Sequence, residues 1–276
     1  MRLLFNKNMS KTGKELAFLR DLYIAPDWTT RFTDIFDKNF KFGDEKEILY
    51  VNGGTGAHPL QLREKLGVDV RFQVYSEDEE ANMLARGKAE MLGTKIEFSD
   101  EFPRESYDLV IADATFVGPE ELSEFIGEII ELSDARVAFI LPTAGSFGEM
   151  FSVLWESFLN ADLLENAPEV ERLITTVPQI SKVEAIAENL GLLQVKSVTE
   201  NEIFEFANGT EFIESPLVAD FLLPAWLGFL NDEEMERACA ALTQIIDESA
   251  ENLTFRFTVK ATLITGEKSQ SDKAER

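Results

Sequence analysis

The chain has 276 residues, 45% of them hydrophobic and 22 of them phenylalanine, which is enough apolar material for one large domain, alone or with a cap. Its 51 acidic and 26 basic side chains leave a formal charge of -25, which repels nucleic-acid phosphate and anionic membrane surfaces. That charge excludes nucleic acid as a partner and leaves small molecules, carrier-linked acyl groups and proteins with a basic face, while serving solubility on its own account. Cys239 is the only cysteine, so intramolecular disulfides and a cysteine metal site are excluded, and its apolar helical register, Met235 to Leu242, reads as core packing. Met1 to Phe5 is too short an apolar run for a signal peptide, and no stretch approaches the length of a membrane span. The expectation is a cytoplasmic protein without membrane insertion.

In chain order, residues 11–42 carry Leu16, Phe18, Leu19, Leu22, Tyr23, Trp28, Phe32, Ile35, Phe36 and Phe40 at largely helical spacing, broken by Ala25-Pro26-Asp27. Two short helices are predicted, forming an N-terminal helical cap over residues 1–46. Glu47-Ile-Leu-Tyr-Val-Asn-Gly-Gly-Thr-Gly56 follows, a short apolar run ending in a glycine cluster, which is how a buried strand turns into a nucleotide-binding loop. Gly53, Gly54 and Gly56 permit a tight turn and close ligand approach, and a helix starting after Gly56 points free N–H groups into the same space. A strand-to-helix turn also uses glycine for chain reversal alone. The only histidine, His58, sits in Ala57-His-Pro59, where Pro59 suits a first helical turn, and it reads as a partly exposed N-terminal helix residue rather than a general base.

Val68 to Ser76 predicts a second strand, Glu77 to Leu92 a helix, Tyr107 to Asp113 another strand, Glu120 to Leu132 a helix and Ala135 to Pro142 a strand. Strands alternating with helices predict an α/β fold with a parallel sheet. After it, Gly145 and Gly148 loosen a strand exit, and Phe147, Phe151 and Trp155 are candidates for an acceptor pocket, since open α/β sheets bind ligands at the carboxyl ends of their strands. Glu211 to Trp226 is unusually apolar for a connection, with Phe221 and Trp226 predicted to point inward over the same pocket, to bury against the sheet or to form a subunit contact. Phe257 to Gly266 is the last strand, and residues 267–276 read as a disordered tail.

Three segments resemble the class I S-adenosylmethionine-dependent methyltransferases, most closely the ubiquinone/menaquinone-type and malonyl-carrier-type branch. Ile48 to Gly56 is similar to the strand-one motif apolar-apolar-Asp-apolar-Gly-x-Gly-Thr-Gly, Val74 to Arg86 to the strand-two segment with its ribose-binding acid and Ala-Arg pair, and Ser106 to Asp113 to the fourth-strand Phe-Asp-Leu-Val motif. More weakly, the likeness runs through Gly191 and Val195 to Gly266. It implies a Rossmann-like sheet of seven strands, mostly parallel with the last antiparallel, over residues 47–266, with 143–190 and 208–230 as insertions covering the pocket.

The resemblance implies S-adenosylmethionine as cofactor, with Asn52, Gly53, Gly54, Thr55 and Gly56 around its methionine end, Ser76 or Glu77 on the ribose, Asp100 at the adenine amine and Asp113 facing the methyl-transfer site. Tyr23 and Trp28 would line the entrance, unless that aromatic stripe is ordinary core. The chain departs from the motif at Tyr50, where the family has an acid, at Asn52, where it has the first glycine, and at Ser76, where it has the ribose carboxylate. Asn tolerates positive φ better than most residues, and Glu77 stands one place later. Two functions are therefore expected: a methyltransferase acting on a small or carrier-linked, largely apolar acceptor, or a catalytically lapsed relative serving as a binding or assembly subunit for a basic partner.

Overall fold

The computed structural model describes residues 11–249 and 254–268. In chain order its elements are α1 (Gly13–Leu19), a π-helical segment (Arg20–Thr29), α2 (Thr30–Asn39), β1 (Glu47–Val51), α3 (Ala57–Lys65), β2 (Arg71–Tyr75), α4 (Glu79–Leu92), β3 (Glu97–Ser99), β4 (Tyr107–Asp113), α5 (Leu122–Glu131), β5 (Ser133–Thr143), α6 (Gly148–Asn160), α7 (Ala167–Thr176), α8 (Ile180–Asn189), β6 (Leu192–Phe206), α9 (Gly209–Glu214), α10 (Leu223–Leu227), α11 (Asp232–Ser249) and β7 (Phe255–Lys268). The seven strands form one sheet in the order β3-β2-β1-β4-β5-β7-β6.

β1 pairs in parallel with both β2 and β4, setting Tyr50 opposite Val74 on one side and Ile111 on the other, and β4 continues in parallel onto β5. The last strands are antiparallel. Thr199 Oγ1 meets Thr262 Oγ1 at 2.8 Å while Gln194 reaches Glu267 at 3.2 Å, so a step back along β6 is a step forward along β7. This arrangement, seven strands and antiparallel at the end, is the one expected.

The chain forms two compact units. Among the described residues, one comprises Gly13–Thr143, Pro178–Glu200 and residues 261–268; the other comprises residues 11–12, Ala144–Val177 and residues 201–249 and 254–260. In the first, Leu49 and Val51, Val110 and Ala112, and Val137, Phe139 and Leu141 project from one sheet face, alternate residues of each strand sharing a side. Ile126, Ile129 and Ile130 of α5 meet that face at helical spacing, together with Val183 and Ala187 of α8. In the second unit α6 packs on α11, and Phe257 sits fully buried among Phe147, Phe204, Phe206 and Phe212. Cys239 is buried there, as its register suggested.

Several boundaries differ from the sequence reading for identifiable reasons. The helix read from Glu77 begins at Glu79, because the Asp78 side chain accepts the Ala81 N–H at 2.9 Å and caps it. The predicted break at Ala25-Pro26-Asp27 is absent: helical structure runs from Gly13 to Asn39, with a π-helical segment carrying Pro26. The Ala25 carbonyl accepts from both the backbone N–H and the hydroxyl of Thr30, the first of these an i to i−5 bond of the widened turn that follows Pro26. β7 extends to Lys268, whose ammonium donates to the carbonyls of Ile130 and Ser133 at 2.9 Å each, so Glu267 and Lys268 belong to the sheet rather than to a tail. Residues 269–276, the rest of the predicted tail, lie outside the described residues, as does Met1 to Phe5. Among the described residues no helix is long and apolar enough to cross a membrane.

Candidate functional site

The glycine loop between β1 and α3 is held by backbone geometry at each step. Asn52 takes φ +58°, the left-handed conformation that this residue type tolerates, and its N–H donates to the Tyr75 carbonyl at 2.8 Å. Its side-chain amide donates to the Asp113 carbonyl at 3.1 Å, so this one residue ties the loop to the ends of both β2 and β4. Gly53 is the close-packed glycine, where a Cβ would stand 2.5 Å from Val74 Cγ1. Gly54, at φ +54°, meets only the Arg20 side chain at 3.8 Å and is the open one. Thr55 is buried and donates to Asp21 at 2.6 Å, a carboxylate that Lys88 also holds.

This loop forms one wall of a cavity of about 570 Å³, a size suited to a small-molecule cofactor. Asn52, Gly53, Gly54 and Thr55 line it, with Ser76, Glu77, Asp78 and Asp113 from the ends of β2 and β4, Phe102 and Phe116 from the following loops, and Glu121, Glu124 and Glu128 from around α5. Arg20 brings a guanidinium into this acidic lining, 5.6 Å from the Phe116 ring. The carboxylates crowd one another. Partial burial raises the Glu128 carboxyl, and Glu124, Glu77 and Glu131 raise it further by like-charge repulsion. The Tyr75 phenol is pushed up to about 12 by burial and by Glu77, to which it donates at 3.3 Å, and by Glu128. Burial also raises Asp113, against the pull of a hydrogen bond from the Thr115 N–H at 2.8 Å and the charges of Arg20 and His58.

Ser76 and Glu77 are separated by role. The Ser76 hydroxyl accepts the Asp78 N–H at 3.2 Å and its carbonyl accepts from the Asn82 amide, so the serine organises the turn while the exposed Glu77 presents a carboxylate to the cavity. Gly56, at φ +82°, starts α3 and would bring a Cβ to 2.9 Å from that of Ala85. Asp100 pairs with Arg86 at 3.6 Å and is absent from the lining, which lies nearer Phe102. Tyr23 is half exposed, and Trp28 is buried against Phe32 and Phe116, so of that pair neither reaches the cavity wall. The other aromatic candidates belong to the second unit: Phe147, Phe151 and Trp226 form one ring cluster with centroids 5.0 to 5.9 Å apart, Trp155 is partly exposed on α6, and Phe221 lies on the π-helical segment Leu217–Leu222.

His58 corrects the sequence reading most. It is 3% exposed, not a partly exposed helix terminus, with Nδ1 2.9 Å from the Tyr50 hydroxyl and Nε2 3.5 Å from Asp37 Oδ1. Its ring meets those of Phe36 and Tyr50 edge-on. Arg20, Phe116 and the α5 carboxylates were also missed. The available signal was the spacing of Glu121, Glu124 and Glu128, three and then four apart, which puts them on one helical face.

No sequence family and no curated protein matches the chain. Solved structures do match it. The YcgJ protein of Bacillus subtilis superposes with a TM-score of 0.53 at 15% identity, over 86% of this chain and 98% of that one. The cyclase SpnF gives 0.50 at 12% identity over 94% and 97%, respectively. The fold is that of the class I methyltransferases. A third structure, phosphoethanolamine N-methyltransferase 2 of Haemonchus contortus in complex with phosphomonomethylethanolamine and S-adenosylhomocysteine, gives 0.50 at 11% identity over 95% of this chain and 59% of that one. In the methyltransferase fold, as in other open α/β sheets, the crevice outside the carboxyl ends of β1, β2 and β4 is the ligand position, which is where the cavity lies here.

Proposed function

We propose that the cavity binds S-adenosylmethionine and that the chain is a methyltransferase of a small or carrier-linked, largely apolar acceptor. The observation that carries this reading is the crowding of Glu77, Glu124 and Glu128 around a cavity walled by the glycine loop. Carboxylates that repel one another favour a ligand of net positive charge, and a sulfonium with an ammonium and one carboxylate is such a ligand. Its own carboxylate has Arg20 to meet, and Glu77 is placed for the ribose hydroxyls. The cavity size fits, and the open face of Gly54 lets a ligand approach the backbone. When bound, this cofactor supplies an electrophilic methyl group. The chain orients it, flanks it with the rings of Phe102 and Phe116, and offers Asp113, a carboxyl whose proton affinity burial has raised, to an acceptor that must lose a proton.

The lapsed-enzyme alternative, a binding subunit for a basic partner, drew on Tyr50, Asn52 and Ser76. Asn52 adopts the conformation a glycine would take there, and the acid missing at Ser76 is available at Glu77. These accommodations favour the enzyme reading. The ubiquinone/menaquinone or malonyl-carrier type of acceptor and a cytoplasmic setting remain part of the same proposal. Glu77→Ala is expected to weaken binding of S-adenosylhomocysteine on the order of tenfold, about 1.4 kcal/mol, in calorimetric titration. Unchanged affinity would remove Glu77 from the site.

A further inference from the structure

Three parallel connections in the sheet carry a helix: α3 between β1 and β2, α4 between β2 and β3, and α5 between β4 and β5. The connection from β3 to β4, residues 100–106, carries none, although a parallel crossover usually takes about a dozen residues or more and a helix. Handedness says which surface this leaves without one. The chain steps one way across the sheet from β1 to β2 to β3 and the other way from β3 to β4 to β5. Right-handed crossovers therefore put α3 and α4 on one face and the short connection on the other, beside α5. On that second face α5 packs against β4, β5 and α8, while Leu49, Val51 and Tyr75 of β1 and β2 lie where the missing helix would sit. A helix with its side chains is about 10 Å across, and a strap of irregular chain does not fill that width. The strap is held at both ends, by the Phe102 ring edge-on to Tyr75 at 5.5 Å and by Glu105, which accepts from Arg71 at 2.6 Å.

The cavity runs into this place. Val51 and Tyr75 line it from the sheet, Phe102 from the strap, and Phe125, Glu128 and Ile129 from α5. Its charge is one-sided. The whole lining holds the carboxylates Glu77, Asp78, Asp113, Glu121, Glu124 and Glu128, with Arg20 as its only lysine or arginine, and Arg20 pairs with Asp78 at 4.0 Å. The charged groups acting on Glu128 are Glu124, Glu77 and Glu131, with no cation among them. A cofactor of one net positive charge leaves most of this uncompensated. We propose that the recess left by the missing crossover helix is a second ligand site, for a small organic cation with an apolar body: its ammonium at Glu124 and Glu128, its body against Tyr75, Phe102 and Phe125. Aromatic rings beside carboxylates suit such a group twice over, since ring faces attract cations as well as covering apolar surface. None of these residues belongs to the glycine loop, so the site does not rest on the cofactor reading.

Titration calorimetry of the full chain with phenethylamine, a cation at neutral pH, against phenethyl alcohol and phenylacetate tests the assignment. The amine is expected to bind on the order of tenfold more tightly than the alcohol, and the anion not at all. Glu128→Gln should lose about that factor for the amine and nothing for the alcohol. Phe102→Ala removes a ring that is 48% exposed, so it spares the core, and it should weaken both ligands. Glu236→Gln makes the same charge change on the exposed side of α11 and should alter neither. An amine that binds no better than the alcohol, equal losses in Glu128→Gln and Glu236→Gln, or no effect of Phe102→Ala overturns the recess site. Saturating S-adenosylhomocysteine should leave the amine bound; displacement would put the amine at the glycine loop and overturn a second site. Absence of S-adenosylhomocysteine binding defeats the cofactor reading alone, and the three variants still judge the recess.

Discussion

Gly53→Val is expected to abolish binding of S-adenosylhomocysteine and to destabilise the chain by about 1–3 kcal/mol, the usual cost of overfilling a packed site. The first added carbon would stand 2.5 Å from Val74 Cγ1 and 3.0 Å from Pro59 Cγ, with Tyr50 Cδ1 at 3.6 Å. None of these is the far end of a flexible side chain, so β2 or α3 must move, and each carries part of the loop with it. Gly13→Val is the control, because its nearest neighbour would be Glu80 Cγ at 3.5 Å, an ordinary contact on an exposed helix start. The pair separates two demands that the motif merges: Gly54 is required for its positive φ and its open face, Gly53 for close packing. Calorimetric titration and denaturant unfolding of the two variants check this, and retention of affinity by Gly53→Val would contradict the geometry of the loop.

Phe257→Ala is expected to be the most destabilising single change, at about 3–5 kcal/mol. Its ring stacks on Phe204 with centroids 5.2 Å apart and on Phe206 at 5.9 Å, with Phe147 at 5.8 Å and Phe212 edge-on at 6.3 Å. Four aromatic neighbours around one fully buried ring leave little that can collapse into the space vacated. Urea unfolding measures the loss. A cost below about 1 kcal/mol would mean that this cluster is not the core of its unit.

The sheet was legible because its signals are local: apolar runs at Ile48, Leu109 and Val137, each followed by helical spacing, report strand and helix from neighbouring residues. The glycine loop was legible for the same reason, down to the positive φ at Asn52. What escaped the reading depends on residues distant in the chain. Nothing beside His58 announces that Tyr50 and Asp37 close around it, and an N-terminal helix residue with no visible partner reads as exposed. Pro26 reads as a break because one missing donor normally stops a helix, and the π-helical segment that carries it here is not encoded in the periodicity. Tyr23 and Trp28 show the limit of an aromatic stripe: the spacing is helical, but which ring faces solvent and which faces core is set by partners such as Phe116, far along the chain. Ser76 and Glu77 are the intermediate case, where the acid one place late was visible and its role depended on a turn that the serine itself organises.

The measurement that bears most directly on the cavity is calorimetric titration of the unaltered full chain with S-adenosylmethionine and S-adenosylhomocysteine. A pocket on the glycine loop with Glu77 placed for the ribose, features that both ligands share, predicts one site per chain with micromolar dissociation constants for both, near -8 kcal/mol. Heats indistinguishable from dilution at millimolar ligand would contradict the reading of this cavity as a cofactor site.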